Sequence, residues 1–219
     1  MRFADRQDAG RRLATALMHY RGEDLVIFAL PRGGVPVAAP IAEALHAPLT
    51  LALVRKIGVP DQPEVAMGAI ADVGASVLVR NDDVIAATGV SEHAFAHVQE
   101  QETRELERRR KIYLAGRPHI AARGKIAIVV DDGVATGATT RAALRAVRAL
   151  APKRLALATP VGPLDTLATL QDEADEIICL YPRKDFAAIG VFYDDFSQVS
   201  DEEVIALLDA ANAPKCLHE

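Results

Sequence analysis

Cysteine is scarce in this sequence, and its two occurrences sit in unlike settings: Cys179 in the apolar run IICL, Cys216 in a polar tail. One core thiol and one tail thiol exclude a disulfide-stapled scaffold, and neither CxxC nor HExxH occurs to suggest a zinc site. Long apolar runs are missing as well. None approaches the roughly 20 residues that a membrane-spanning helix needs, so no membrane partner is expected. The opening residues, MRFADRQDAGRRL, lack the apolar centre of a secretory signal, and a cytoplasmic protein is expected. Cations are not in surplus: 25 Lys and Arg face 30 Asp and Glu, for a net charge of −5. That balance argues against a nucleic-acid partner, because affinity for a phosphate backbone needs a basic surface.

Several common catalytic signatures are absent too. There is no G-x-G-x-x-G, no Walker loop with its lysine and no G-x-S-x-G elbow. His46, His93, His97 and His119 are scattered, and no Ser/His or Cys/His arrangement suggests a covalent nucleophile.

What the sequence does hold is apolar residue, 50% of 219, enough for one sizeable core. Residues 9–20 carry Leu13, Leu17 and Tyr20 at helical spacing. DLVIFAL then reads as a buried strand closed by Pro31-Arg32-Gly33-Gly34, Val35–Leu45 as a helix, and Leu49–Val54 as a second strand ending at Arg55-Lys56. Residues 57–64, with GVPDQPE, have loop chemistry. Val65–Ile70 and Ser76–Arg80 suggest a hairpin turning near Asp72–Gly74. Residues 91–114 predict a helix capped by Ser91 and laced by Glu100/Arg104, Glu105/Arg109 and Glu107/Lys111. Its thin apolar stripe (Phe95, Val98, Leu106, Tyr113) predicts a solvated helix or one packed on a partner subunit, hence a possible homodimer.

After Gly124, apolar strands alternate with helices: KIAIVV, RAALRAVRAL, RLALATP, LDTLATLQDE, EIICLYP. This pattern predicts an α/β fold, a doubly wound, mainly parallel sheet. Ser200 with Glu203 three residues on predicts the N-terminus of a last helix. The expected organisation is a single domain over 1–219, with a helical and hairpin insertion at about 57–118 and a small C-terminal hood at about 181–219.

In an open parallel sheet, ligands bind beyond the carboxyl ends of the strands. Asp131 and Asp132 stand at such an end, and two adjacent acceptors suit a sugar diol or a sugar carrying magnesium. The turn that follows, Gly133-Val134-Ala135-Thr136-Gly137-Ala138-Thr139-Thr140, leads into a helix. Its backbone N–H groups and threonine hydroxyls make a phosphate cradle at the positive end of the helix dipole. Sugar hydroxyls on the acids and a phosphate on the turn describe a 5-phosphoribosyl group. The same residues would serve equally as caps of an ordinary strand–turn–helix.

An apolar strand, two acids and VATGATT closely resemble the phosphoribosyl-diphosphate signature of type I phosphoribosyltransferases. Over nearly the whole chain, the LPRGG, RKIG, DDGVATGAT and DFSQ-DEEV stretches resemble an uncharacterised bacterial phosphoribosyltransferase-like family. The resemblance implies that Asp131 and Asp132 contact the ribose hydroxyls and lie nearest a magnesium cofactor, directly or indirectly. It implies that Ala135 to Thr140 wrap the 5-phosphate, and that Arg32, Gly33 and Gly34 form a diphosphate loop. Arg55 and Lys56 would then neutralise the leaving group. Phe186, Phe192 and Tyr193 are candidates for stacking on a nitrogenous acceptor in the hood. The function implied is transfer of a phosphoribosyl group from phosphoribosyl diphosphate to a nitrogen acceptor. The rivals are a non-catalytic module that binds phosphoribosyl diphosphate or a nucleotide, and an enzyme that hydrolyses a sugar phosphate in the same pocket.

Overall fold

The computed structural model describes residues 2–213, apart from the side chain of Glu64; Cys216 lies outside the described residues. Asp5 begins the fold as an N-cap, its carboxylate accepting from the Asp8 amide at 2.6 Å, and α1 runs from Arg6 to Ala16. It starts and stops earlier than the expected 9–20, because Asp5 caps it and Met18–Tyr20 tighten into a 3₁₀ turn. There follow β1 (Leu25–Ala29), α2 (Gly34–Leu45), β2 (Leu49–Leu51), β3 (Leu53–Val59), β4 (Gln62–Asp72) and β5 (Ser76–Arg80). Then come α3 (Asp82–Thr88), α4 (Glu92–Leu114), β6 (Ile126–Val130), α5 (Ala138–Ala149) and β7 (Arg154–Pro163). The chain continues through α6 (Leu164–Thr169), β8 (Glu176–Arg183) and α7 (Asp201–Asn212). Ser91 and Ser200 cap α4 and α7, accepting from Ala94 and Glu203 amides as their side-chain chemistry predicts.

The described strands form two sheets. Five are parallel in the order β2-β1-β6-β7-β8, and β3-β4-β5 form a separate antiparallel sheet. β1 shows why the large sheet needs helices on both faces: all five of its residues are buried. Leu25, Ile27 and Ala29 point into the core beneath α1, α2 and α7, with Leu13, Ile41 and Leu208. Val26, Phe28 and Leu30 point into the opposite core, with Leu144 and Val147 of α5. The antiparallel sheet sits between two helices. Leu53, Ile57 and Met67 share a core with Phe95 and Leu106 of α4, while Val54, Ala71 and Val73 join the core that holds α5.

Two expectations are corrected between residues 49 and 64. The second strand does not end at Arg55-Lys56: it breaks after Leu51, and both cations lie inside β3 of the antiparallel sheet. Residues 57–64 are the far end of a β3–β4 hairpin instead of a loop. Pro60 stands in the turn, and Pro63 lies beyond a register shift at Gly58 where regular pairing has already broken down. The helix expected over LDTLATLQDE is shorter, stopping at Thr169. Among the described residues no helix is long and apolar enough to cross a membrane.

Candidate active site

β1 and β6 pair in register to their last residues, Ala29 opposite Val130, so the turns that leave them lie side by side. From β1 comes the turn of residues 31–34, with a cis peptide between Pro31 and Arg32. From β6 come Asp131, Asp132 and the turn into α5. Contact between the two turns is close: a Cβ on Gly33 would fall 2.0 Å from Oδ2 of Asp132. Only glycine leaves room for the carboxylate there. Gly34 opens α2 and is buried, while Arg32 reaches out and stands 3.7 Å from Asp201 at the start of α7.

The turn itself is held open from outside. The Val134 amide donates to the Val161 carbonyl at 2.9 Å, and Thr166 Oγ1 donates to the Ala135 carbonyl at 3.0 Å. Gly133 and Val134 are buried, and Gly137 takes φ of 76°, a left-handed conformation that turns the chain directly into α5. The first helical bond is Arg141 N–H to the Gly137 carbonyl, at 2.8 Å. Among the described residues, no acceptor is hydrogen-bonded to the amides of Thr136, Gly137, Ala138, Thr139 or Thr140. Ala135, Thr136, Ala138 and Thr139 are exposed, whereas Thr140 is buried. Orphan N–H groups at a helix start carry the positive end of the helix dipole, so this turn can accept an anion.

Asp131 and Asp132 are tied to each other, the Asp132 amide donating to Oδ1 of Asp131 at 2.9 Å. Burial, then the neighbouring Asp132 charge, pushes the Asp131 carboxyl well above the ordinary carboxylate range. Asp132 is raised by burial as well, but Arg6 opposes the shift. Arg6 donates from Nε to Asp132 Oδ2 at 2.8 Å and from Nη1 to the Ser197 carbonyl at 2.8 Å. Its guanidinium lies 3.9 Å over the Phe196 ring. Tyr193 donates its hydroxyl to the Asp132 carbonyl at 2.6 Å.

Among the described residues, no three Asp, Glu, His or Cys side chains gather in a set able to hold a metal ion. One oxygen of each acid is already engaged. This donor set does not cage a metal ion; it fits a magnesium ion that keeps most of its water.

Arg55 and Lys56 reach the same region from the antiparallel sheet. They line an open cleft of about 460 Å³ with Thr139 on its far wall. Arg55 is paired with Glu102 of α4 at 2.6 Å. Of the three aromatic hood residues, Phe186 and Phe192 are partly exposed and stacked, with centroids 5.6 Å apart. Tyr193 is 2% exposed and packs on Phe3, so its ring is a core element and the expectation of a stacking surface there is corrected. The structure therefore gathers Arg32, Gly33, Asp131, Asp132 and the 135–140 turn at one sheet edge, with Arg55 and Lys56 across a cleft from Thr139. Sequence reasoning missed Arg6, Phe196, Glu102 and Asp201. Arg6 stands in RFADRQDAG next to the helix cap, and DFSQ stood out only as a stretch without a role.

A parallel α/β sheet with an acid pair and an amide-lined turn at one strand end defines a phosphoribosyl transferase architecture. Comparison with known proteins agrees: the phosphoribosyl transferase domain model matches residues 4–196, and the chain belongs to that family. Two Mycobacterium tuberculosis proteins, each named a "putative phosphoribosyl transferase", are 47% identical over 210 residues, 96% of this chain but 47% of their own length. The chain thus spans about half the length of these curated relatives. The crystal structure of TT1426 from Thermus thermophilus superposes with a TM-score of 0.82 at 38% identity, covering 95% of this chain and 98% of that one. The AQ2163 protein of Aquifex aeolicus shares the fold at 12% identity, with a TM-score of 0.51 over 84% of this chain and 78% of that one.

Proposed function

We propose that the cleft binds 5-phosphoribosyl diphosphate and transfers its phosphoribosyl group to a nitrogen acceptor, releasing diphosphate. The observation that carries this reading is the run of amides at the start of α5 without acceptors among the described residues, beside two carboxylates on the same strand end. In this reading the 5-phosphate takes the N–H groups of residues 136–140 and the hydroxyls of Thr136 and Thr139. The ribose 2- and 3-hydroxyls donate to Asp131 and Asp132. The backbone at Gly33 and Gly34 and the cations Arg32, Arg55 and Lys56 take the diphosphate through charge-assisted hydrogen bonds.

Transfer breaks the C1–O bond, whose electron pair leaves with diphosphate. The nitrogen lone pair forms the C1–N bond from the opposite face, and that nitrogen then sheds a proton. Positive charge develops on the ribose ring, and fixed carboxylates beside it favour that charge. Phe186 and Phe192 offer a flat apolar surface for the acceptor. Magnesium, when bound with the diphosphate, supplies charge neutralisation of the leaving group; Asp131 and Asp132 would hold it through water.

Calorimetric titration of phosphoribosyl diphosphate with magnesium tests the reading. Saturable binding is expected, weakened about tenfold or more by Asp132→Asn, the scale of a lost charged hydrogen bond. No heat, or identical affinity in the variant, would contradict it. Diphosphate release measured across a panel of nitrogenous bases and amines separates transfer from binding alone.

A further inference from the structure

An acid pair at a strand end is unstable on its own: two neighbouring carboxylates repel, and burial raises the cost of ionising either. In this chain the compensating cation comes from neither the acid-pair turn nor the diphosphate loop. It is Arg6, 126 residues earlier in the chain and the first residue of α1. Its side chain is 12% exposed, as is that of Asp132, so the pair is shielded from the water that makes surface ion pairs worth little.

Three different elements meet on this one guanidinium. Nε fixes Oδ2 of Asp132, Nη1 fixes the Ser197 carbonyl, and the planar face covers Phe196. The space below Oδ2 is closed by Gly33 of the diphosphate loop. Asp132 is therefore held between Arg6 and Gly33, its Oδ2 engaged by the guanidinium and its carboxyl side by side with that of Asp131. The segment that Arg6 grips, residues 194–197, is also pinned to the chain's beginning, since the Asp194 and Asp195 amides donate to the carbonyls of Phe3 and Ala4.

We propose that Arg6 is the positioning residue of the sugar subsite, orienting the Asp132 carboxylate for a ribose diol and tying the 194–197 segment to the acid pair. The proposal rests on the phosphoribosyl reading above and adds to it a group from outside the signature turn. Lysine is a poor substitute here: an ammonium supplies charge but cannot reach an acid and a carbonyl at once while stacking on a ring.

Three probes separate this role from a general effect on folding. Ribose 5-phosphate, 2-deoxyribose 5-phosphate and inorganic phosphate are titrated into the wild type, Arg6→Gln and Arg6→Lys. The wild type is expected to prefer ribose 5-phosphate over its 2-deoxy analogue by about tenfold, the scale of a hydrogen bond to a charged acceptor. Arg6→Gln is expected to erase that preference while leaving the affinity for inorganic phosphate within about twofold; Arg6→Lys is expected to restore part of it.

Should Arg6→Gln not fold, Phe196→Leu carries the test: it keeps the ion pair, removes the ring beneath the guanidinium, and should reduce the same preference by roughly two- to fivefold. A full preference in Arg6→Gln, or in Phe196→Leu where the first variant does not fold, overturns the proposal. Loss of inorganic phosphate binding in parallel with the sugar overturns it too. If the wild type shows neither phosphate binding nor a preference for the 2-hydroxyl, it is the phosphoribosyl reading itself that fails.

Discussion

Asp131 and Asp132 differ in surroundings more than in position. Arg6 stands against Asp132, whereas burial and its neighbour's charge work together on Asp131. A carboxyl whose folded-state pKa lies above its unfolded value binds more protons in the native chain than in the unfolded one. Stability then falls as pH rises, from the unfolded carboxylate pKa of about 4 up to the raised folded value. Asp131→Asn removes that slope. The variant is expected to be more stable than the wild type in urea at pH 7 and to lose the advantage near pH 4, while its binding of sugar phosphate falls. Denaturation curves at pH 4, 5.5 and 7 check this, and a variant less stable at every pH would contradict it.

The residues of this site differ in how well the sequence announced them. The acid pair and the threonine turn sit within ten consecutive positions and could be read locally. Arg6 could not be. A lone arginine beside a helix cap has no local signature, and its partner lies on a strand end fixed only when the sheet forms. Tyr193 misled for the same reason: an aromatic in an aromatic-rich segment carries no mark of whether its ring faces a ligand or Phe3.

At the scale of elements, the alternation of buried strands and helices after Gly124 was legible because each period matches its geometry. The stretch RKIGVPDQPE was not. Proline and glycine usually mark a loop, and here they mark the far end of a hairpin beyond a register shift. That hairpin carries Arg55, which α4 holds through Glu102. Under the proposed function, a diphosphate drawing on Arg55 would compete with that carboxylate. The pair is partly exposed, with side chains 31% and 23% accessible, so its strength is on the order of 0.2–1 kcal/mol. Glu102→Gln is accordingly expected to raise affinity for inorganic diphosphate by about one and a half to fivefold, with little loss of stability. Titration of diphosphate into the variant measures this directly. A weaker affinity would mean that Glu102 orients Arg55 instead of competing for it.

For the molecule as a whole, the doubly wound sheet brings residues distant in sequence to one edge. Arg6, Arg32, the 131–140 turn and the 194–197 segment are joined through β1, β6 and the two cores that fix their register. The antiparallel sheet, lodged between α4 and α5, lines the cleft together with Thr139. Fold class followed from periodicity, while the cleft's outer walls depend on contacts between segments that periodicity does not encode.

In the proposed function, the turn before α5 holds a sugar phosphate on its own amides. Amide-resolved NMR of the labelled protein, titrated with ribose 5-phosphate, reports on each of those N–H groups. Saturable shifts are expected on Thr136, Gly137, Ala138, Thr139 and Thr140, with Asp131 and Asp132 following in the same titration. Binding that leaves those amides unmoved, or an absence of binding altogether, would contradict that function.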